Sequence, residues 1–89
     1  MVVVKFLPRA EKDFEALSES LQDEILDKCD LLSKFQKMGS PMEKAYFGFR
    51  YLLVGRRRYR LIYKATPPDL VEIVSIRHCR RQMGLRLVH

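Results

Sequence analysis

From residue 59 to residue 64 the side chains alternate in character, with Tyr59, Leu61 and Tyr63 in one set and Arg60, Ile62 and Lys64 in the other. A strand sends successive side chains to opposite faces, so this run predicts a strand with one core-like face and one mixed, basic face. Residues 49–54 are again aromatic and aliphatic around Arg50, and Gly55, Arg56, Arg57 and Arg58 separate the two runs. Residues 49–64 therefore read as two antiparallel strands joined by a tight basic turn.

The preceding chain has helical rather than alternating patterns. Residues 2–7 are β-branched enough for a short strand, and Pro8 suits a helix start because its missing N–H has no partner there. Ala10, Phe14 and Leu17 recur at helical spacing, with Glu11, Lys12 and Glu15 on the other side, so Phe14 is expected to face a sheet. A second helix is expected to start near Ser20, whose hydroxyl suits an orphan amide while Asp23 suits the helix dipole. Leu21, Ile25, Cys29, Leu32 and Phe35 form its apolar stripe, and Gly39, Ser40 and Pro41 stop it. Strand character returns at Tyr46, and beyond the Thr66, Pro67, Pro68, Asp69 turn, residues 70–76 make a further strand.

The order is thus βααβββ with a basic tail. Hairpin-length connections force the last three strands to run antiparallel. The expected fold class is α+β: a helical hairpin on one face of a small, mainly antiparallel twisted sheet, whose other face stays partly open. Its 89 residues suit a single domain over residues 1–89, and a hydrophobic share of 47% is enough to build a core.

Charge is unevenly distributed along the chain. Residues 1–44 carry seven Lys/Arg against nine Asp/Glu, a net of −2, whereas residues 45–89 carry ten against two, a net of +8. The field of the second half favours a polyanion, either nucleic acid or an acidic protein. The acids of the helices form no poised carboxylate pair and read as solvated faces. Asp69 and Glu72 are the only acids in the basic half, so no two-metal site, and no cofactor of any kind, is expected. Cys29 and Cys79 have neither disulfide-framework nor zinc-ligand spacing, which fits a reducing compartment. The first apolar run is broken by Lys5, too short for a signal peptide or a membrane span, so a cytoplasmic protein is expected.

Three motifs, in this order and spacing, resemble the RelE/ParE superfamily of bacterial type II toxin–antitoxin toxins. They are Gly48, Phe49, Arg50, Tyr51, Leu52, Leu53, Val54, Gly55, then Tyr59, Arg60, Leu61, Ile62, Tyr63, and finally His78, Cys79, Arg80, Arg81. The resemblance covers nearly the whole chain. It implies a toxin neutralised by a cognate antitoxin, acting either as a ribosome-dependent mRNA endonuclease or, in the ParE branch, as a DNA gyrase poison.

In the nuclease branch the arginine of the Tyr-Arg pair lies beside the scissile phosphate, which maps to Arg60, and the final basic cluster maps to His78, Arg80 and Arg81. The resemblance thus implies Arg60, His78 and Arg81 as catalytic, with Arg50, Arg56, Arg57, Arg58, Lys64, Arg77 and Arg80 binding RNA or phosphate. Well-known nuclease members carry a lysine pair on the preceding strand and a tyrosine in the tail. Here Tyr51 and Leu53 stand near the first positions, and no tyrosine follows Arg81. General acid–base work then falls to His78 or His89.

Each residue also has a plainer reading. His78 can simply end the last strand, Tyr51, Tyr59 and Tyr63 can be core or interface aromatics, and Arg56, Arg57 and Arg58 can be loop-tip charges that steer the chain to ribosomal RNA or the antitoxin. A third class of function is a non-enzymatic module whose basic groove docks an acidic partner.

Overall fold

The computed structural model describes residues 2–79. Strand β1 (Val3–Phe6) runs into helix α1 (Pro8–Glu15), which begins on Pro8, and helix α2 (Glu19–Leu32) follows directly. Then come the two-residue strand β2 (Ser40–Pro41), a 3-10 turn over Lys44–Tyr46, and strands β3 (Arg50–Val54), β4 (Tyr59–Thr66) and β5 (Leu70–His78). The expected α+β class and order hold, with β2 added. The sheet order is β1-β5-β4-β3-β2; β2 to β5 pair antiparallel, and β1 closes the other edge parallel to β5.

Both helices lie on one face of the sheet. Ala10 of α1 and Leu21, Ile25, Cys29 and Leu32 of α2 meet Val54, Leu61, Tyr63, Val71, Ile73 and Ile76, while Phe14 sets its ring edge-on to Phe6 at 5.3 Å. Full burial of an Ile or Leu such as Ile25 or Leu61 contributes about 2 kcal/mol. A bulge between Ile62 and Tyr63 pairs Ile62 with Ser75 but Tyr63 with Ile73, leaving Val74 as the extra residue. That shift lets Ile73 and Ile76, three positions apart, both point into the core.

Two acids on the helices anchor them to the sheet. Asp13 accepts a hydrogen bond from the Ile76 amide at 3.0 Å, and Glu24 accepts one from the Gly55 amide at 3.1 Å. These carboxylates are structural, which corrects the reading of every helical acid as merely solvated. The helix start also differs: Ser18, not Ser20, is the cap, its hydroxyl accepting from the Leu21 amide at 3.3 Å. At the other end α2 stops at Leu32, where the Lys34 and Phe35 amides both turn back to the Leu31 carbonyl. Phe35 therefore leaves the apolar stripe and is 60% exposed.

Strand β3 begins four residues later than the aromatic content at Tyr46 suggests. The backbone turns left-handed at Lys44 (φ 58°) and Gly48 (φ 96°), closing residues 42–49 into a loop whose base is the Met42 amide bonded to the Phe49 carbonyl at 2.9 Å. Gly48 is suited to this because it has no Cβ to oppose a positive φ.

Candidate nucleic-acid interface

The face of the sheet away from the helices is organised by strand parity. On β4 the side chains of Arg60, Ile62 and Lys64 point there, joined by Tyr51 and Leu53 of β3 and by Ser75 and Arg77 of β5. Arg60 pairs in register with Arg77, so two guanidinium-bearing residues stand directly opposite each other. Like charges in that relation repel, and an anion seated between them would offset the repulsion. The Nε of Arg77 is shielded from solvent and meets no acceptor among the described residues, which leaves one donor to be satisfied.

Aromatic rings support the cations. The Arg60 guanidinium lies 4.7 Å from the centre of the Tyr51 ring, and the Lys64 ammonium 6.0 Å from that of Phe49. Each such contact contributes about 0.5–1 kcal/mol at an accessible site, and it holds the planar guanidinium in one orientation. Ile62, in register between Tyr51 and Ser75, is only 1% exposed although no helix among the described residues covers this face. Parity across the hairpin was the signal that could have added Phe49 to the site from the sequence.

His78 is placed differently. It pairs in register with Tyr59, and the two rings meet edge-to-face at 4.9 Å. Tyr59 shares a face with Leu61 and Tyr63, so His78 lies on the helix-covered side and Arg60 on the other. The structure brings Arg60, Arg77, Lys64 and Tyr51 onto one surface, and it does not bring His78 to them. Arg80, Arg81 and His89 lie outside the described residues.

Arg50 is also turned away from the open face. Its Nη1 donates to the carbonyls of Gly39 at 2.8 Å and Lys37 at 3.3 Å, bracing the loop that follows α2. Arg56, Arg57 and Arg58 are exposed on the β3–β4 turn, where Arg56 and Arg57 hold positive φ values of 57° and 69°. The end of β5 is tied to that turn by the Cys79 amide, which donates to the Arg58 carbonyl at 2.8 Å.

Among the described residues no three His, Cys, Asp or Glu side chains gather as a metal site, and no helix is long and apolar enough to cross a membrane. The chemistry on offer at the open face is phosphate binding by arginines and stacking by aromatics.

A helical hairpin laid on one side of a mixed five-stranded sheet is a fold also found in solved toxins of toxin–antitoxin systems. Residues 4–83 match the profile of the ParE toxin of type II toxin–antitoxin systems, parDE, and the chain belongs to this family, within the RelE/ParE superfamily. Among solved structures it resembles a RelBE toxin–antitoxin complex from Mycobacterium tuberculosis, with a TM-score of 0.75 at 22% identity over 86% of this chain and 96% of that one. The intact E. coli RelBE toxin–antitoxin complex gives 0.76 at 15% identity over 89% and 98%. The chromosomal ParDE system of P. aeruginosa gives 0.56 at 16% identity over 88% and 96%. The likeness to all three is one of fold. No curated protein sequence is significantly similar to the chain.

Proposed function

We propose that this toxin blocks growth as a ribosome-dependent endoribonuclease that cleaves message by attack of the RNA's own 2′-hydroxyl, with Arg60 and Arg77 as its phosphate site. The observation that carries this is the register pair of Arg60 and Arg77 on an open face, one guanidinium held over Tyr51. In such a reaction the 2′-oxygen attacks the adjacent phosphorus in line, its proton passes to solvent water, the bond from phosphorus to the 5′-oxygen breaks, and that oxygen takes a proton from water. Charge builds on the non-bridging oxygens meanwhile. A planar guanidinium contacts two of those oxygens at once, and removing one such donor costs about 3 kcal/mol of transition-state stabilisation.

With His78 across the sheet from Arg60, the reading rests on charge stabilisation rather than on a histidine acid or base. Orientation of the 2′-hydroxyl falls to the ribosome, which would explain a dependence on it. Lys64 and the turn arginines Arg56, Arg57 and Arg58 steer the chain to RNA. A cognate acidic antitoxin covers this face, so its association rate is expected to fall with salt as the Debye length shrinks from about 8 Å at physiological ionic strength.

The second reading is inhibition of DNA gyrase. It is favoured by the match to the ParE toxin profile and by the separation of His78 from Arg60. Purified toxin added to translating ribosomes and, separately, to a gyrase supercoiling reaction decides between them. Cut message with normal supercoiling supports the nuclease; blocked supercoiling with intact message replaces it with the gyrase reading.

A further inference from the structure

The 42–49 loop carries aromatic residues that the toxin fold does not use for its core. Phe47 is 83% exposed and Tyr46 37%, on a loop fixed by four backbone hydrogen bonds: Met42 to Phe49, Tyr46 to Glu43, Phe47 to Lys44 and Phe49 to Tyr46. Tyr46 meets Phe49 edge-on at 6.4 Å, and Phe49 in turn lies beneath Lys64. From Arg60 over Tyr51, through Lys64 over Phe49, the contacts thus continue to Tyr46, whose neighbour in the chain is the exposed Phe47; Glu72 stands in register beside Lys64. An aromatic side chain left in water on an ordered loop is costly to a lone domain and useful to a ligand with flat faces.

We propose that Phe47, on the loop that also carries Tyr46 and Phe49, is a stacking platform for an unpaired base of single-stranded RNA whose neighbouring phosphates run along Lys64 to Arg60. The charge of residues 45–89 suits the phosphates, the rings suit the bases, and interleaving of the two is how sequence-tolerant single-strand sites are built. The inference rests on the reading that the open face takes RNA, but not on cleavage. Gly48, at φ 96°, sets the loop, so the platform is part of the fold rather than formed on binding.

The chain contains no tryptophan, so Phe47→Trp makes a single fluorescent reporter at the platform. The full-length variant is titrated with a short oligouridylate and with an abasic oligomer of equal length and charge. The expected result is quenching by the oligouridylate alone. Phe47→Ala should lose affinity for the oligouridylate by about 10-fold while its weaker binding of the abasic oligomer is unchanged. Equal affinity of the wild type for the two oligomers, or an oligouridylate affinity unaffected by Phe47→Ala, overturns the proposal. So does a Phe47→Ala variant that loses only antitoxin binding, which would make the loop a protein contact. Failure of the wild type to cut message on ribosomes would instead remove the nuclease reading and leave this result standing.

Discussion

The two faces of one hairpin use the same two residue types for different ends. On the covered face Arg50 and Tyr63 stand opposite each other in register, and loop backbone engages both. The Tyr63 hydroxyl donates to the Gln36 carbonyl at 2.8 Å and accepts from the Gly39 amide at 2.9 Å, while Arg50 donates to the Gly39 carbonyl. On the open face Arg60 lies over Tyr51, and Arg77 faces Arg60 in register. Arginine and tyrosine therefore brace a loop where it supplies carbonyls and amides, and pair with each other on the face turned away from the helices. Residue type does not decide the role; strand parity does.

Substitutions on the two faces should separate accordingly, with open-face changes costing activity and covered-face changes costing stability. The largest effect is expected at Arg60. Arg60→Ala should lower cleavage of ribosome-bound message by more than ~100-fold, through the loss of ~3 kcal/mol of charge stabilisation, while lost contacts such as that with Tyr51 cost only about 1 kcal/mol of stability. Arg60→Lys should recover little of the activity, because a lysine has the charge without the planar fork. An Arg60→Ala protein that melts as the wild type does and cuts at the wild-type rate would remove Arg60 from the mechanism.

On the covered side the next effect is at Gly39. A Cβ there would stand 2.7 Å from the Tyr51 carbonyl oxygen and 2.8 Å from both Cε1 and the hydroxyl of Tyr63. Backbone on one side and a buried ring on the other cannot both yield, so Gly39→Ala should destabilise the protein by about 2 kcal/mol or more, read as a lower denaturant midpoint. Its cleavage rate per folded molecule should change far less than that of Arg60→Ala. Tyr63→Phe is a milder version of the same test. It leaves the Gly39 amide and the Gln36 carbonyl without the hydroxyl that joins them, at a cost of about 1–2 kcal/mol. A Tyr63→Phe protein as stable as the wild type would mean that water replaces both bonds.

How much of this was legible in the sequence follows the same division. The alternation along β4 gave its two faces correctly, because a period of two leaves no freedom once one face is buried. The stripe of α2 was legible as far as Leu32, where Phe35 still fitted the spacing although the helix had already ended. What fails is anything set by a contact distant in sequence. Asp13 and Glu24 look like solvent-facing acids in a helix, and only the assembled sheet shows the amides they hold. His78 and Arg60 belong to one chemical vocabulary, and only the β4–β5 register shows that they point opposite ways. The loop at Tyr46 reads as strand because its residues are aromatic; the left-handed turn at Lys44 carries no strong sequence mark, whereas Gly48 does.

The smallest effect is expected from pH. Cys29 is buried against the sheet on the covered side, and burial first, then the nearby Asp30 charge, pushes its thiol from 9.0 up to about 11. The raised value means that the unfolded chain gives up this proton before the folded one does. Its contribution to stability is therefore complete below pH 9 and is lost as pH rises from about 9 to about 11, at no more than ~1.4 kcal/mol per pH unit. Tyr63, raised above 10.0 by burial against smaller opposing effects of the Gly39 amide and Arg50, adds a loss in the same direction at higher pH. Urea midpoints compared at about pH 8 and about pH 10 should fall for the wild type and for Arg60→Ala alike, since both keep the buried Cys29 thiol. In Cys29→Ala the fall over that interval should be smaller, even though the protein starts less stable for the lost packing. A Cys29→Ala chain that loses as much stability as the wild type between those two conditions would show that the buried thiol is not the group being titrated.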